Sequence, residues 1–204
     1  MNIKISNGNS KMGKIPSVSL PSVVTCRKDC SCKNKCYARK IERIRPNVRD
    51  SYAANLELLL KAPDTYWREV EASIMMSRFF RFHVSGDIPD IVYFQKMIAV
   101  AERNPHCEIL CFTKKYDIVN DGIKVLRNSN RDLPRNLHLI LSGWRGIEMV
   151  NPYNLPEAHV LYKDGTTTAG ADAVKCGGNC TECALIDGGC WSLKNGGQVV
   201  FNEH

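Results

Sequence analysis

Eight of the chain's ten cysteines lie in two short segments, and this clustering constrains the fold more than any other feature. The first segment, CRKDCSCKNKC, occupies residues 26–36, and the second, CGGNCTECALIDGGC, occupies residues 176–190. Three chemistries gather cysteines in this way: disulfide bonds, zinc and an iron–sulfur cluster. Each needs chain that wraps around the sulfur atoms. Both segments are therefore predicted to form loop-rich sites.

The N-terminal residues and the overall hydropathy pattern bear on the choice between disulfides and metal. The stretch MNIKISNGNSKMGKIPS is polar and carries lysines, unlike a secretory signal. No apolar run approaches the roughly 18 residues of a membrane-spanning helix. These patterns predict a cytoplasmic protein without a membrane partner. Because cytoplasmic thiols are kept reduced, we expect the clustered cysteines to bind metal in preference to forming disulfides.

The spacing of the C-terminal segment favours iron over zinc. Its cysteines are separated by three, two and six residues, with glycine pairs that let the chain bend around a metal centre. Zinc ribbons usually carry two Cys-x2-Cys pairs separated by roughly a dozen residues. Uneven spacing is typical of a loop around an iron–sulfur cluster. We predict a 4Fe-4S cluster, with zinc as the alternative, at Cys176, Cys180, Cys183 and Cys190.

The N-terminal segment holds a second predicted metal site. Its candidate ligands are Cys26, Cys30, Cys32 and Cys36. All four could close a site, or three could hold a 4Fe-4S cluster and leave one iron free to bind a ligand. The two remaining cysteines, Cys107 and Cys111, fall in or beside a predicted strand and are expected to be small core residues.

Alternating strand and helix patterns predict an α/β fold. Predicted strands cover 17–25, 80–87, 108–114, 136–144 and 158–164, and predicted helices cover 47–62, 64–79, 89–104 and 116–129, with Asp64 as the N-cap of the second helix. Such alternation indicates βαβ units and a parallel sheet. We expect a single domain over 1–204, folded as a partial (half) TIM-like barrel with its helices outside. An N-terminal Cys loop at 26–36, βα units at 80–163 and a Cys-rich C-terminal extension at 176–204 complete the prediction.

Two predicted strands carry polar residues on one face, where a parallel sheet buried on both sides would be apolar. In FRFHVS, alternation places Arg81, His83 and Ser85 on one face, and in LHLILS it places His138 and Ser142 on one face. These faces could line a barrel lumen, or the histidines could be satisfied core residues. The candidate catalytic residues are Arg81, His83, Ser85, Asp87, Thr113 and His138.

The segment Ser85-Gly86-Asp87 is expected to border the functional site. It ends a predicted strand at the carboxyl edge of the sheet, where α/β folds place their ligands, and both Cys segments are expected to converge on that edge. A glycine leaves room for a ligand there, and a carboxylate supplies an acceptor. The alternative is an ordinary turn in which Asp87 caps the next helix.

The formal net charge of +7 is concentrated in the N-terminal third, in RKDCSCKNKCYARKIERIRPNVR. A solvated basic face that also offsets thiolate charge accounts for it. Contact with nucleic acid or another polyanion is the alternative.

Four motifs together resemble the bacteriophage "gene product 88" family over nearly the whole chain. They are SLPSVVTC…CKNKCYARK, FRFHVSGDIPD, CFTKKYD and CGGNCTEC…CWSLKNGGQVVFNEH. The resemblance implies a phage protein of the host cytoplasm. Its cysteine pattern leaves Cys30 out and implicates Cys26, Cys32, Cys36 and the four C-terminal cysteines.

A weaker resemblance links the chain to radical S-adenosylmethionine enzymes, which are partial barrels with a Cys-rich loop after the first strand. Ser85, Gly86 and Asp87 stand where that family has a Gly-Gly-Glu motif, which implies contact with S-adenosylmethionine. The N-terminal loop departs from the family's Cys-x3-Cys-x2-Cys pattern, which occurs instead at 176–183.

The sequence as a whole leads to two hypotheses about function. One is an iron–sulfur protein with redox or radical catalysis on an unknown small molecule, served by a redox partner. The other is a zinc-stabilised module that binds nucleic acid or a host protein.

Overall fold

An eight-stranded sheet organises the chain in the computed structural model, which describes residues 2–203. The strands are β1 (Ile5–Ser6), β2 (Ser17–Val18), β3 (Phe79–Phe82), β4 (Glu108–Thr113), β5 (Leu137–Ser142), β6 (Glu157–Leu161), β7 (Val174–Lys175) and β8 (Gln198–Asn202). They lie in the order β1-β2-β3-β4-β5-β6-β8-β7. Strand β1 is antiparallel to β2, and the other neighbouring pairs are parallel. The predicted α/β class with a parallel sheet is confirmed, and over residues 2–203 the sheet is open. The ends of the predicted domain, Met1 and His204, lie outside the described residues.

Seven α-helices accompany the sheet in the described chain. They are α1 (Ser22–Thr25), α2 (Tyr37–Ile44), α3 (Pro46–Lys61), α4 (Pro63–Met75), α5 (Ile91–Arg103), α6 (Tyr116–Asn128) and α7 (Cys180–Leu185), with 3₁₀ turns at Ser31–Lys35 and Gly189–Trp191. Helices α3 and α4 each begin at a proline, whose fixed φ and missing N–H suit the first helical position. The predicted N-cap of α4 is therefore wrong. Ala62 takes that position, and Asp64 lies in the first turn, where its charge favours the helix dipole.

The two faces of the sheet are covered by different parts of the chain. On one face, Phe80, Phe82 and Leu139 pack in a core with side chains of α3 to α6. On the other face, Leu110 and Ile140 pack against the C-terminal segment. The predicted apolar alternation of Phe80 and Phe82 is thus confirmed. The Cys-rich extension covers the sheet face that the helices leave open.

Two predicted strands, those at 80–87 and 17–25, are half as long or less in the structure. Strand β3 ends at Phe82, because His83 adopts a positive φ of 59° and leaves the extended conformation. The predicted alternation therefore breaks there, and the His83 ring packs beside the rings of Phe82 and Tyr93. The predicted strand at 17–25 contains only β2, and residues 22–25 form helix α1. No helix in residues 2–203 has the length and hydropathy needed to cross a membrane.

Candidate functional site

One cavity of about 1160 Å³ lies between the N-terminal Cys loop, helix α2, the C-terminal segment and the carboxyl half of the sheet. All eight clustered cysteines line it. Arg81, Ser85, Asp87 and Thr113 border the same cavity, as does Lys114, which was not among the predicted site residues. The two segments that are about 140 residues apart in the sequence therefore share one site.

The C-terminal thiol group, Cys176, Cys180, Cys183 and Cys190, is built by α7 and the turn that follows it. Asn179 caps α7 by accepting hydrogen bonds from the backbone N–H groups of Thr181 and Glu182, which starts the helix at Cys180. A side chain at Gly189 would place its Cβ 3.0 Å from the Sγ of Cys183. With a φ of +57° at Gly189, a glycine suits the turn that brings Cys190 back toward α7 without crowding the Cys183 sulfur.

Burial and neighbouring thiols raise the pKa of two members of this group, Cys183 and Cys190. Burial raises the pKa of Cys190 to about 12, and negative charge on Cys176 and Cys180 adds to the effect. Burial also raises the pKa of Cys183, again with contributions from Cys176 and Cys180. Four thiolates at these positions therefore repel one another unless a cation offsets their charge. An Nη of Arg81 donates to the Sγ of Cys180 at 3.9 Å, which offsets part of it.

No group of three or more Cys, His, Asp or Glu side chains between residues 2 and 203 stands in the arrangement of a metal site. The chemistry of the donor atoms nevertheless fits a metal. The four thiols are near neighbours, since Cys176 and Cys180 contribute to the raised pKa of Cys183 and of Cys190, and a set of four thiols is the ligand chemistry of zinc and of iron–sulfur clusters.

The N-terminal thiol group, Cys26, Cys30, Cys32 and Cys36, is arranged differently. Cys30 and Cys32 form a disulfide with their Cα atoms 5.2 Å apart, whereas Cys26 and Cys36 are free thiols. Burial raises the pKa of Cys26 to about 12, and the charges of Asp87 and Cys36 act in the same direction. Because metal ligands are thiolates, Cys30 and Cys32 can bind metal only after their disulfide is reduced.

Asp87 joins the end of β3 to the end of β4. Its carboxylate accepts hydrogen bonds from the Thr113 hydroxyl at 2.6 Å, from the Lys114 N–H at 2.9 Å and from the Ile88 N–H at 2.8 Å. Helix α5 is capped by Asp90, which accepts from the N–H of Tyr93. The alternative interpretation, in which Asp87 caps this helix, is wrong.

Gly86 and Ser85 anchor the same turn. Gly86 has a φ of +80°, and a Cβ there would lie 2.7 Å from the Leu20 carbonyl oxygen and 2.6 Å from the Thr25 hydroxyl. The glycine is thus required by the close approach of the segment after β2. The hydroxyl of Ser85 donates to Glu42 of α2 at 2.7 Å.

The remaining candidate catalytic residues, Thr113, His83 and His138, differ in whether they lie at the cavity. Thr113 lies at the cavity, bonded to Asp87. His83 also lines the cavity, but burial lowers the pKa of its ring to about 3, and neither ring nitrogen has a hydrogen-bond partner within residues 2–203. His138 contacts Glu108 at 2.6 Å and lies beneath Trp191, at 5.9 Å between ring centroids. It is not one of the cavity-lining residues in the described chain.

Replacing Asp87 with asparagine should destabilise the protein by about 1–3 kcal/mol, because an amide NH₂ would face N–H donors that now meet carboxylate oxygens. The matched control is Asp90→Asn. Asparagine caps helices as well as aspartate, so that change should cost no more than about 0.5 kcal/mol. Urea unfolding of both variants measures the difference. Equal costs would show that the three bonds of Asp87 contribute nothing.

The pH dependence of the folding stability provides a second test of the role of Asp87. Burial raises the pKa of Asp87, with Thr113, Lys114 and Ile88 opposing the shift. The folded chain then keeps this proton at a pH where the unfolded chain has released it, so stability falls as the pH rises through that window. The Asp87→Asn variant lacks this titration. Its cost relative to the native sequence should therefore shrink as the pH rises above the ordinary aspartate pKa.

Comparison with known proteins identifies a family. A family model described as Gene product 88 matches residues 2–184. The match includes the N-terminal thiol group, the central strands and three cysteines of the C-terminal thiol group, and Cys190 lies beyond it. No curated protein and no solved structure matches the chain.

Proposed function

The chain belongs to the Gene product 88 family, and from this premise we propose that it is a phage iron–sulfur protein that acts on a small molecule. The observation that carries the proposal is that all eight clustered cysteines line one cavity of about 1160 Å³. Structural metal sites are closed and have no need of a cavity. Thiols that face a space for a ligand are instead what a redox or radical S-adenosylmethionine-like enzyme requires.

The C-terminal thiol group is the proposed site of a 4Fe-4S cluster, and the N-terminal thiol group is the proposed site of a second one. A bound cluster would supply one-electron transfer, delivered by a redox partner. The protein's contribution is made by its own residues. Arg81 donates toward Cys180, and the apolar rings of Phe79 and Trp191 pack beneath the C-terminal segment and limit water access there.

We also propose that the sheet is a partial barrel and that S-adenosylmethionine is the cofactor. Helices on one sheet face and a cavity on the other are consistent with a partial barrel. Ser85, Gly86 and Asp87 border that cavity, so we propose S-adenosylmethionine as an occupant. Asp87 already accepts three hydrogen bonds, which leaves room for about one more donor, such as an amino group.

Metal analysis of the anaerobically purified protein tests the proposal. The preparation should be brown, should contain iron and acid-labile sulfide, and should bleach on reduction. A second preparation with a strong reductant opens the Cys30–Cys32 disulfide, and its iron content should rise if the N-terminal thiol group also binds a cluster. A colourless protein with stoichiometric zinc in both preparations would contradict the proposal.

The second candidate is a zinc-stabilised module that binds nucleic acid. The observation in its favour is the exposed basic surface of α2, formed by Arg39, Lys40 and Arg43. Such a module would bind DNA of arbitrary sequence with an affinity that falls steeply with salt.

A further inference from the structure

We propose that the cavity binds a small anionic molecule, and that Arg81 and Lys114 hold its carboxylate or phosphate group. This inference deepens the proposed function by naming the class of substrate. Binding of the anion does not itself require a cluster. The two ideas can therefore fail separately.

The charge of the cavity wall is strongly unbalanced. Eight lysines and arginines line the cavity, against two carboxylates, Asp87 and Glu203. Glu203 is already paired with Lys35 at 2.6 Å, and Asp87 accepts three internal hydrogen bonds. Arg27 is likewise paired, with Asp29 at 2.6 Å. The other six cations of the wall have no ion-pair partner among residues 2–203. A concave surface of one sign concentrates ligands of the opposite sign.

Arg81 is the best-placed of these cations. It lies in β3 on the face away from the helices, with its guanidinium 5.0 Å from the centre of the Phe112 ring. Its Nε is buried without a hydrogen-bond partner, and its polar contact in the described chain is the long bond to the Cys180 sulfur. No carboxylate of residues 2–203 comes within ion-pair distance of it. A guanidinium has five N–H donors, and a carboxylate or phosphate can accept two of them side by side.

Lys114 supplies the second positive charge at the end of the neighbouring strand. Its Nζ donates to the Ser142 hydroxyl at 2.8 Å, which uses one of its three N–H donors. Lys114 and Ser142 stand at the carboxyl ends of β4 and β5, the edge at which open α/β sheets bind ligands. The ammonium group has no carboxylate within ion-pair distance in the part of the chain that the structure describes.

The size of the cavity favours a small molecule over a polymer. Pockets of about 300–1,000 Å³ enclose most of a small ligand. The cavity reaches about 1160 Å³, enough for a ligand beside the thiol groups. A polynucleotide would instead need an open groove that follows its backbone.

Isothermal calorimetry on the anaerobically purified protein tests the inference with four probes: inorganic phosphate, malonate, AMP and adenosine. We expect AMP to bind, adenosine to bind much more weakly, and the phosphate and malonate arms to show which acid group the site prefers. Arg81→Gln and Lys114→Gln should each weaken binding of the preferred anion at least about tenfold. Lys124→Gln removes the same charge from exposed α6, away from the cavity, and should leave binding unchanged.

Several outcomes would overturn the inference. Equal binding of AMP and adenosine, no binding of any anion, or the same loss in all three variants would each do so. An unchanged anion affinity together with a shifted reduction potential in Arg81→Gln would show that this cation serves the cluster alone. A single-stranded oligonucleotide that binds far more tightly than AMP would indicate a nucleic-acid site instead. Anion binding as expected in a protein that contains zinc and no iron would uphold this inference and refute the proposed function.

Discussion

Cys180→Ser should remove the iron of the C-terminal site and lower the melting temperature substantially. A serine hydroxyl is a much poorer cluster ligand than a thiolate, because it is a harder donor and far more difficult to deprotonate. Metal binding at a site that exists only in the folded chain also contributes directly to its folding free energy. The loss should extend to packing, because the four thiols lie against the apolar cluster of Leu110, Ile140 and Trp191. Iron and sulfide content per chain, visible absorption and thermal unfolding measure these effects.

The control for this variant is Cys107→Ala. Cys107 is buried outside both thiol groups, and its sulfur donates a weak bond to the Glu108 carbonyl. Its removal should cost about 1 kcal/mol and leave the iron content unchanged. If Cys180→Ser and Cys107→Ala retain the same iron, the C-terminal thiol group is not a cluster site.

Gly86→Ala should destabilise the protein strongly, because the position has a positive φ and no room for a Cβ. A left-handed backbone costs a non-glycine residue about 1–2 kcal/mol. The new Cβ would also lie 2.6–2.7 Å from the Thr25 hydroxyl and the Leu20 carbonyl, and such overpacking adds about 1–3 kcal/mol. Displacing this turn should also weaken any ligand that depends on Asp87.

Gly165→Ala is the control that separates the cost of the left-handed backbone from the cost of the Cβ clash. Gly165 has a φ of +81°, almost equal to the +80° of Gly86, and nothing lies within 4 Å of the position that a Cβ would take there. It should therefore show the backbone cost alone. Chemical denaturation of both variants gives the difference, which measures the close approach of the segment after β2. Equal losses would mean that this segment moves away freely.

The central βα units could be predicted from the sequence because their signals are local. Apolar periodicity and length indicate α5, α6, β4 and β5, and the observed bounds differ from the predicted ones by at most two residues. The stretch at 17–25 could not be predicted in this way. Strand β2 ends at Val18, helix α1 begins at Ser22, and between them the backbone N–H of Leu20 bonds to the carbonyl of Ser85, far along the chain.

The candidate site could be predicted only in part from the sequence, because it also depends on contacts between residues that are far apart in the chain. Cysteine spacing indicates two sites, and their common cavity follows from the fold. The role of Asp87 depends on Thr113 and Lys114, which are 26 and 27 residues away, so that no local pattern reveals it. Lys114 carried a usable signal, since it directly follows a strand that ends at the ligand edge. No sequence signal revealed the conformation of His83. Its positive φ ends the strand alternation from which its position had been predicted.

The distribution of the thiols between two distant segments has a consequence for the order in which the protein matures. The N-terminal thiol group leaves the ribosome roughly 7 to 30 seconds before the C-terminal one, at about 5–20 residues per second. During that interval half of the cavity wall does not exist. The disulfide between Cys30 and Cys32 closes within a few residues and needs none of the later chain. Newly made chains can therefore store these two sulfurs in oxidised form, so that any loading of metal at the N-terminal thiol group awaits reduction, whereas the free thiols of the C-terminal group await only their own translation.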